Sequence, residues 1–375
     1  MSDWLIVAGD FTPLGGMDRA NHALAMHLAA RGDTRVHVVA HRAWPDLQGH
    51  PAVHLSAVRR PFRSDLAGAP LLAAAARRRS RRLRPDHVIA NGGNADTRDV
   101  TWVHYLHAAH VPQVRGIRRR LQARVAHAYY LRRERTALQR ARVVLCNSER
   151  TAQDVREHLG IDRARTRVVY YGSDAAQFSF VSDEERSAAK RELGWGEDRP
   201  VALFAGALGD RRKGFDRLLE AWGMLCRDPA WDADLAVAGH GSELAGWRRR
   251  VVDLRMDGRV RFLGFRPDIS RVIGACDVMV HPARYEAYGL AVHEAICRGL
   301  PVIVSARAGI AELYPPTLAD LLIADVEDAR EIAARLHRWR WDVGSAAARI
   351  RPLSNRLRGR TWRDMGIDIE QAVNA

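Results

Sequence analysis

Short apolar runs recur along the chain between longer amphipathic stretches, and their order predicts the fold. In the first half, "WLIVAG" (4–9), "RVHVVAH" (35–41), "HVIANGG" (87–93), "VTWVHYL" (100–106), "RVVLCNS" (142–148) and "RVVYYG" (167–172) read as strands, with helix-like segments between most of them. This is the βαβ alternation of a parallel sheet. The pattern then restarts with "PVALFAGAL" (200–208), "ADLAVAGHG" (233–241), "RVRFLGF" (259–265), "DVMVHPA" (277–283) and "PVIVSA" (301–306), separated by helical periods such as "FDRLLEAWGMLC". Between the two series, residues 171–200 are polar and lack strand character until Val201, as a domain seam does. The expectation is an α/β chain of two Rossmann-like domains, 1–172 and 173–359.

Bulk properties narrow the function classes. A chain of 375 residues exceeds one comfortable core. It contains no run of 18 apolar residues, and "MSDWLIVAGDF" carries acids where a signal peptide needs positive charge, so a cytoplasmic protein is expected. The four cysteines, Cys146, Cys226, Cys276 and Cys297, show neither CxxC nor a histidine partner spacing, which argues against zinc and against a disulfide framework. The net charge of +15 invites a nucleic-acid reading, but only two of the 59 basic residues are lysines, Lys190 and Lys213. Such a skew toward arginine points to genome composition rather than to selection for phosphate contact, and no nucleic-acid partner is expected. It also marks each surviving lysine as a candidate for a specific role.

Ligands of open parallel sheets bind beyond the carboxyl ends of the strands, so the strand-to-helix loops are the candidate sites. The first loop, "GDFTPLGGMDRANHALAMHLAARG", leads through Gly15 and Gly16 into a helix expected to end at Gly32. Its glycines permit close backbone approach, but GxGxxG spacing is absent and no acid ends the second strand, so a dinucleotide site is not expected. The second loop, "FAGALGDRRKGFDRLLEAW", sets Arg211, Arg212 and Lys213 before Gly214 and a helix. Cations there oppose the helix dipole unless an anion sits between, and an ammonium beside a guanidinium suits phosphate oxygens.

The third loop, "HPARYEAYGLAVHEAICRG", opens a helix near Gly289 that ends at Gly299. The amides of Gly289, Leu290 and Ala291 at that helix start are placed to receive a diphosphate, and Tyr288 beside them is a further donor-binding candidate. Glu286 and Glu294 cannot usefully touch that anion, but a carboxylate can accept two hydrogen bonds from a vicinal diol. Glu294 would hold ribose hydroxyls and Glu286 hydroxyls of the transferred sugar, one on each side of the diphosphate.

The stretch E-A-Y-G-L-x3-E-A-x2-R-G-L-P-V-I-V-S resembles the E-x7-E signature of family-4 retaining glycosyltransferases of the GT-B fold. The Gly-Gly loop, the RRK loop, "VVLCNSERTAQDVREHLG" and "VRFLGFRPDISRVIGACDVMVHPARYEAYGL" are similar to further parts of that family, so the likeness spans most of the chain. It implies two domains facing across a cleft, an acceptor on the N-terminal one, and a UDP- or GDP-sugar donor on the C-terminal one. It also implies a final helix, 360–375, completing the first domain. By position, Arg212 and Lys213 match the family's diphosphate cations, Glu286 the donor-sugar acid and Glu294 the ribose acid. His104 matches the histidine facing the reacting sugar, with His107 close by as the competing choice. Ala207 replaces a familiar arginine, Ala308-Gly309 a Gly-Gly pair, and Tyr171-Gly172 an Asn-Gly at the hinge.

The mechanism so implied is transfer with retention, through an oxocarbenium-like transition state in which the leaving diphosphate takes the acceptor's proton, with no metal and no cofactor besides the donor. Asp232 and Asp234 form a D-x-D, but ahead of a strand, where a solvated loop is expected. Cell-envelope glycan or glycoconjugate synthesis is the leading context, with a saccharide, lipid-linked or small-molecule acceptor. A nucleotide-sugar epimerase and a natural-product tailoring glycosyltransferase are the alternatives. Residues 115–142 hold ten arginines against one acid, Glu134, and interleave Ile117, Leu121, Val125, Tyr129 and Leu131 at roughly helical spacing. Such a face suits peripheral attachment to the anionic inner surface of the cell membrane.

Overall fold

The computed structural model describes residues 1–114, 116–196 and 199–375. The chain divides into two compact units. One comprises Met1–Val111, Ile117–Gly172 and Arg360–Ala375, the other Pro112–Gly116 and Ser173–Gly359. Within the seam, Ser182 caps a helix over Asp183–Glu192. Glu197 and Asp198, in the same stretch, and Arg115, in the arginine-rich one, lie outside the described residues.

The first unit is built on a seven-stranded sheet in the spatial order Val53–Ala57, Thr34–Ala40, Ser2–Val7, His87–Asn91, Val100–Val103, Val143–Cys146, Thr166–Val168. Every neighbouring pair is parallel. The second has a six-stranded sheet ordered Val260–Gly264, Asp234–Ala238, Val201–Ala205, Val278–His281, Val302–Ser305, Leu322–Ile323, again parallel throughout. Central strands such as Val201–Ala205 are buried at every residue, because helices cover both faces, and their sequences are therefore apolar runs rather than alternations. In the Phe215–Leu225 helix, Phe215, Leu218, Leu219, Trp222 and Leu225 recur at helical spacing and form its buried stripe.

In each sheet the chain builds outward from the first strand in one direction and then reverses. The reversal leaves a switch point between Ser2–Val7 and His87–Asn91 in one unit and between Val201–Ala205 and Val278–His281 in the other. Loops at the carboxyl ends of those strand pairs diverge and open a crevice.

The Met17–Ala29 helix ends at Ala30, ahead of Gly32, so Gly32 is not its terminator. The strand Val53–Ala57 has no counterpart among the sequence-expected runs. The final helix, Trp362–Asn374, opens on a capping box between Thr361 and Asp364. It lies against Met17–Ala29, where Glu370 accepts from His27 at 2.7 Å and from Arg31. A β-carbon on Gly366 would stand 2.4 Å from the His27 ring, so glycine is what permits this close contact.

Candidate functional site

The switch point of the second unit gathers the residues singled out from the RRK and E-x7-E loops. After Val201–Ala205, Arg211–Lys213 form a single helical turn whose N-cap, Asp210, accepts the Arg212 amide at 3.3 Å. Gly214 follows at φ +73°, and a β-carbon there would lie 1.9 Å from the Pro282 carbonyl. Only glycine both adopts that backbone and lets the turn press against the loop following Val278–His281.

Arg284 ties the two loops together. Its amide donates to the Arg212 carbonyl at 2.8 Å, and its guanidinium donates to the Arg211 carbonyl, to both Asp216 oxygens at 2.7 and 2.9 Å, and to Glu327. Arg212 donates to the Tyr285 carbonyl at 3.3 Å. The cation turn is thus held by backbone and ion-pair contacts that do not depend on a ligand.

At the centre, Lys213 Nζ is bonded to Glu286 Oε2, and His281 Nε2 lies 3.0 Å from the same oxygen. The Lys213 and Glu286 side chains are 15% and 12% exposed. Burial opposes ionisation of Glu286, but Lys213, His281 and Arg212 outweigh it and hold the carboxyl well below its usual range. Burial draws Lys213 and His281 down from theirs, in each case against the pull of Glu286. The result is an ion pair with a neutral imidazole beside it. Lys213 spends one of three N–H groups on Glu286, which leaves it able to serve an anion as well.

Lys213 and Glu286, expected from sequence to have separate tasks, are in fact partners. His281 is an addition to the expected site, and its sequence signal is a histidine closing a central strand five residues before a site glutamate.

Gly289, at φ +108°, is the N-cap of Leu290–Cys297, and no side chain caps that end. The Glu286 and Tyr288 carbonyls accept the Gly309 and Ile310 amides at 3.0 and 2.7 Å, which fastens the Ala308-Gly309 loop to it. Glu294 sits one turn inside the helix, 7% exposed. Tyr288 is buried, its hydroxyl meets His293 Nδ1 at 2.6 Å and its carbonyl holds the Ile310 amide, so its side chain is committed to the packing behind the helix start. Of the D-x-D pair, Asp232 is half-exposed, in keeping with a solvated loop, and only Asp234 departs from it. Asp232 is paired with Arg340 through two 2.6 Å bonds, and Asp234 is buried at the start of its strand beside Arg259. Lys190 is also buried and bonded to Asp277 at 3.2 Å, a structural task.

The first unit has a cavity of about 280 Å³ at its own switch point, lined by Asn91–Asn94, Trp102, His104, Tyr105, His107, Tyr130, Arg133 and Glu134, with Met17 next to Gly15 and Gly16 at its rim. His104 and His107 both line it. His104 packs on Trp102 at 4.2 Å between ring centres and bonds to the Tyr171 hydroxyl through Nδ1. Burial pulls His104 down to about 3 and, together with His127, pulls His107 to about 4, so both rings are neutral. His107 stacks on Tyr130 at 5.1 Å. Glu134 accepts the His107 and Ala108 amides at 2.8 and 3.1 Å, and burial still pushes it up to about 7. Arg133, the cation of this wall, is bound to the Gly93 and Asn94 carbonyls.

Comparison with known proteins follows the same division. Residues 14–177 match the family described as glycosyltransferase family 4, and residues 185–349 that described as glycosyl transferases group 1. The chain is 30% identical to the 2-deoxystreptamine N-acetyl-D-glucosaminyltransferase of Streptomyces fradiae over 84% of its length and 80% of that protein's. It is 32% identical to the D-inositol 3-phosphate glycosyltransferase of Corynebacterium efficiens, but over 47% of this chain and only 43% of that protein. Among solved structures, WaaG, a glycosyltransferase involved in lipopolysaccharide biosynthesis, superposes with a TM-score of 0.77 at 22% identity over 99% of this chain and 98% of its own. HepE of Anabaena, solved with UDP and glucose, gives a TM-score of 0.72 at 18% identity over the full length of both chains. The chain belongs to the group 1, family 4 glycosyltransferases, with the two parallel-sheet domains of the GT-B fold.

Proposed function

We propose that this protein transfers a sugar from a UDP- or GDP-linked donor to an acceptor hydroxyl, with retention of anomeric configuration and without a metal. The observation that carries the reading is the cluster of Lys213, Glu286 and His281 at the second unit's switch point, next to the uncapped helix end at Gly289. Arg212, Lys213 and that helix end hold the diphosphate and stabilise the negative charge that grows on it as the glycosidic bond breaks. Glu286 is kept ionised by its partners and grips hydroxyls of the transferred sugar. With two donors on one oxygen it is a poor nucleophile, which favours same-face attack by the acceptor over a covalent intermediate. Glu294 holds the ribose, and His104 serves the reacting sugar. That HepE is solved with UDP supports the donor class.

The cavity of the first unit takes the acceptor in this reading. At about 280 Å³ it suits one polyol ring, near the lower end of the roughly 300–1,000 Å³ typical of ligand pockets. The relatives named for 2-deoxystreptamine and inositol 3-phosphate support a small cyclic acceptor.

A lipid-linked acceptor is the second reading, and the Ile117–Arg140 helix favours it. Ile117, Leu121 and Val125, four residues apart, are 85%, 64% and 59% exposed among the exposed Arg118, Arg119, Arg120 and Arg124. Each basic residue near an anionic leaflet contributes about 1 kcal/mol. No helix among the described residues is long and apolar enough to cross a membrane.

A thermal-shift panel of sugar nucleotides, read alongside release of nucleoside diphosphate, tests the function. One donor at about 100 times its dissociation constant should add roughly 2.7 kcal/mol of stability. It should be consumed faster when a cyclitol or sugar acceptor is present. No shift with any UDP- or GDP-sugar would contradict the donor class, and turnover of donor into an epimer without acceptor would favour an epimerase.

A further inference from the structure

A chain of hydrogen bonds runs from a helix cap to His104. Ser148, N-cap of the Glu149–Leu159 helix, accepts the Thr151 amide proton at 3.0 Å and donates its hydroxyl to Thr151 Oγ1, also at 3.0 Å. Thr151 donates in turn to Asn147 Oδ1 at 2.9 Å. With its oxygen committed, the Asn147 amide presents Nδ2 to the Tyr171 hydroxyl oxygen at 3.1 Å. The phenol oxygen accepts there and is in hydrogen-bond contact with His104 Nδ1. Asn147, Thr151 and Tyr171 are at most 3% exposed, so water does not compete for these groups.

We propose that Tyr171 is a positioning residue: by donating to His104 Nδ1 it locks the imidazole in the tautomer with its proton on Nε2, so that the ring meets the substrate as a neutral hydrogen-bond donor and not as a base. His104 Nε2 is buried without a protein partner, and the residue lines the first unit's cavity, which leaves that N–H for a ligand oxygen. Burial alone pulls His104 down to about 3, so the ring carries a single proton across the working pH range and its position is what matters. Trp102, tilted against the ring with 4.2 Å between centres, restricts how the ring can turn. The proposal rests on the reading of His104 as serving the reacting sugar. It adds that His104 cannot accept the acceptor hydroxyl's proton.

The test is ¹⁵N NMR of histidine-labelled, ligand-free protein, with His104 assigned by the signals lost in His104→Gln. The expected spectrum shows a proton-bearing Nε2 and a bare, hydrogen-bonded Nδ1, unchanged between mildly acidic and neutral pH. Tyr171→Phe, which keeps the ring and removes the donor, should abolish that preference. It should also lower kcat about ten-fold, with both KM values within about two-fold. Thr151→Val, one step further back, should shift the tautomer in the same sense by less, and serves as the readout if Tyr171→Phe does not fold. A wild-type proton on Nδ1, or a folded Tyr171→Phe with the wild-type tautomer, overturns the proposal. Because the spectrum needs no substrate, it is decided separately from the function: the expected tautomer with a fully active His104→Gln would remove His104 from the reaction while leaving the relay in place.

Discussion

Lys213→Ala should cost stability in a way that depends on pH with a sign opposite to that of the wild type. In the native protein, Glu286 is held below its ordinary value of 4.5. Its contribution to stability is therefore full above that pH and is lost as the solution is acidified through and below it. Lys213 is the strongest of the charges that offset burial at Glu286, so without it burial is expected to outweigh His281 and Arg212 and push the carboxyl up.

A carboxyl raised in the folded state binds more protons there than in the unfolded chain. It therefore penalises folding at neutral pH, and the penalty is relieved as pH falls toward 4.5. Stranding one member of a buried pair costs about 3–5 kcal/mol. With both groups retaining some exposure, about 3 kcal/mol is expected near neutrality, shrinking by about 1–2 kcal/mol near pH 5 as the carboxyl gains its proton. Urea unfolding of wild type and variant at the two pH values measures this, and Lys213→Ala/Glu286→Gln should recover much of the loss. Turnover should fall about 100-fold or more, with a smaller change in donor binding, because the leaving-group charge peaks in the transition state. A stability difference that is the same at both pH values, or an unchanged rate in folded protein, would refute the reasoning.

Glu294→Ala should weaken binding of free nucleoside diphosphate in calorimetry, whereas Glu286→Ala should spare it and depress transfer; normal binding and transfer in both would remove the sugar-gripping roles. Gly214→Ala should destabilise the protein by about 2–4 kcal/mol in denaturant titrations, since the added carbon meets the Pro282 carbonyl at a positive φ. Vesicle co-sedimentation should require anionic lipid, fade at high salt and weaken when Arg118, Arg119 and Arg120 become serine; no binding at low salt would leave the small water-soluble acceptor as the sole reading.

The two sheets were legible because strands covered on both faces are apolar runs, and those runs appear in the sequence without alternation. Val53–Ala57 escaped notice because it is an edge strand, half exposed, in which His54 and Ser56 break the run. The RRK and E-x7-E loops were legible as chemistry, since cations before a helix and acids around a helix start are both unusual. Their pairing was not legible. Lys213 and Glu286 are far apart in sequence and meet because their strands flank the switch point, a consequence of strand order that local pattern does not encode. His281 was read as the end of a strand, and Tyr288 as part of a loop, because side-chain direction at a strand or helix terminus is decided by tertiary packing. Tyr171 was visible only as a departure from a family pattern; what it does depends on Asn147 and on a helix cap.

The central claim, transfer with retention on a diphosphate-stabilising site that needs no metal, is tested most directly by the anomeric configuration of the fresh product. NMR of a reaction run in EDTA with the donor found by thermal shift should show the donor's anomeric configuration preserved in the new linkage, at a rate equal to that with divalent ions added. Inversion at the anomeric carbon, or loss of activity on chelation that a divalent ion restores, would contradict the account.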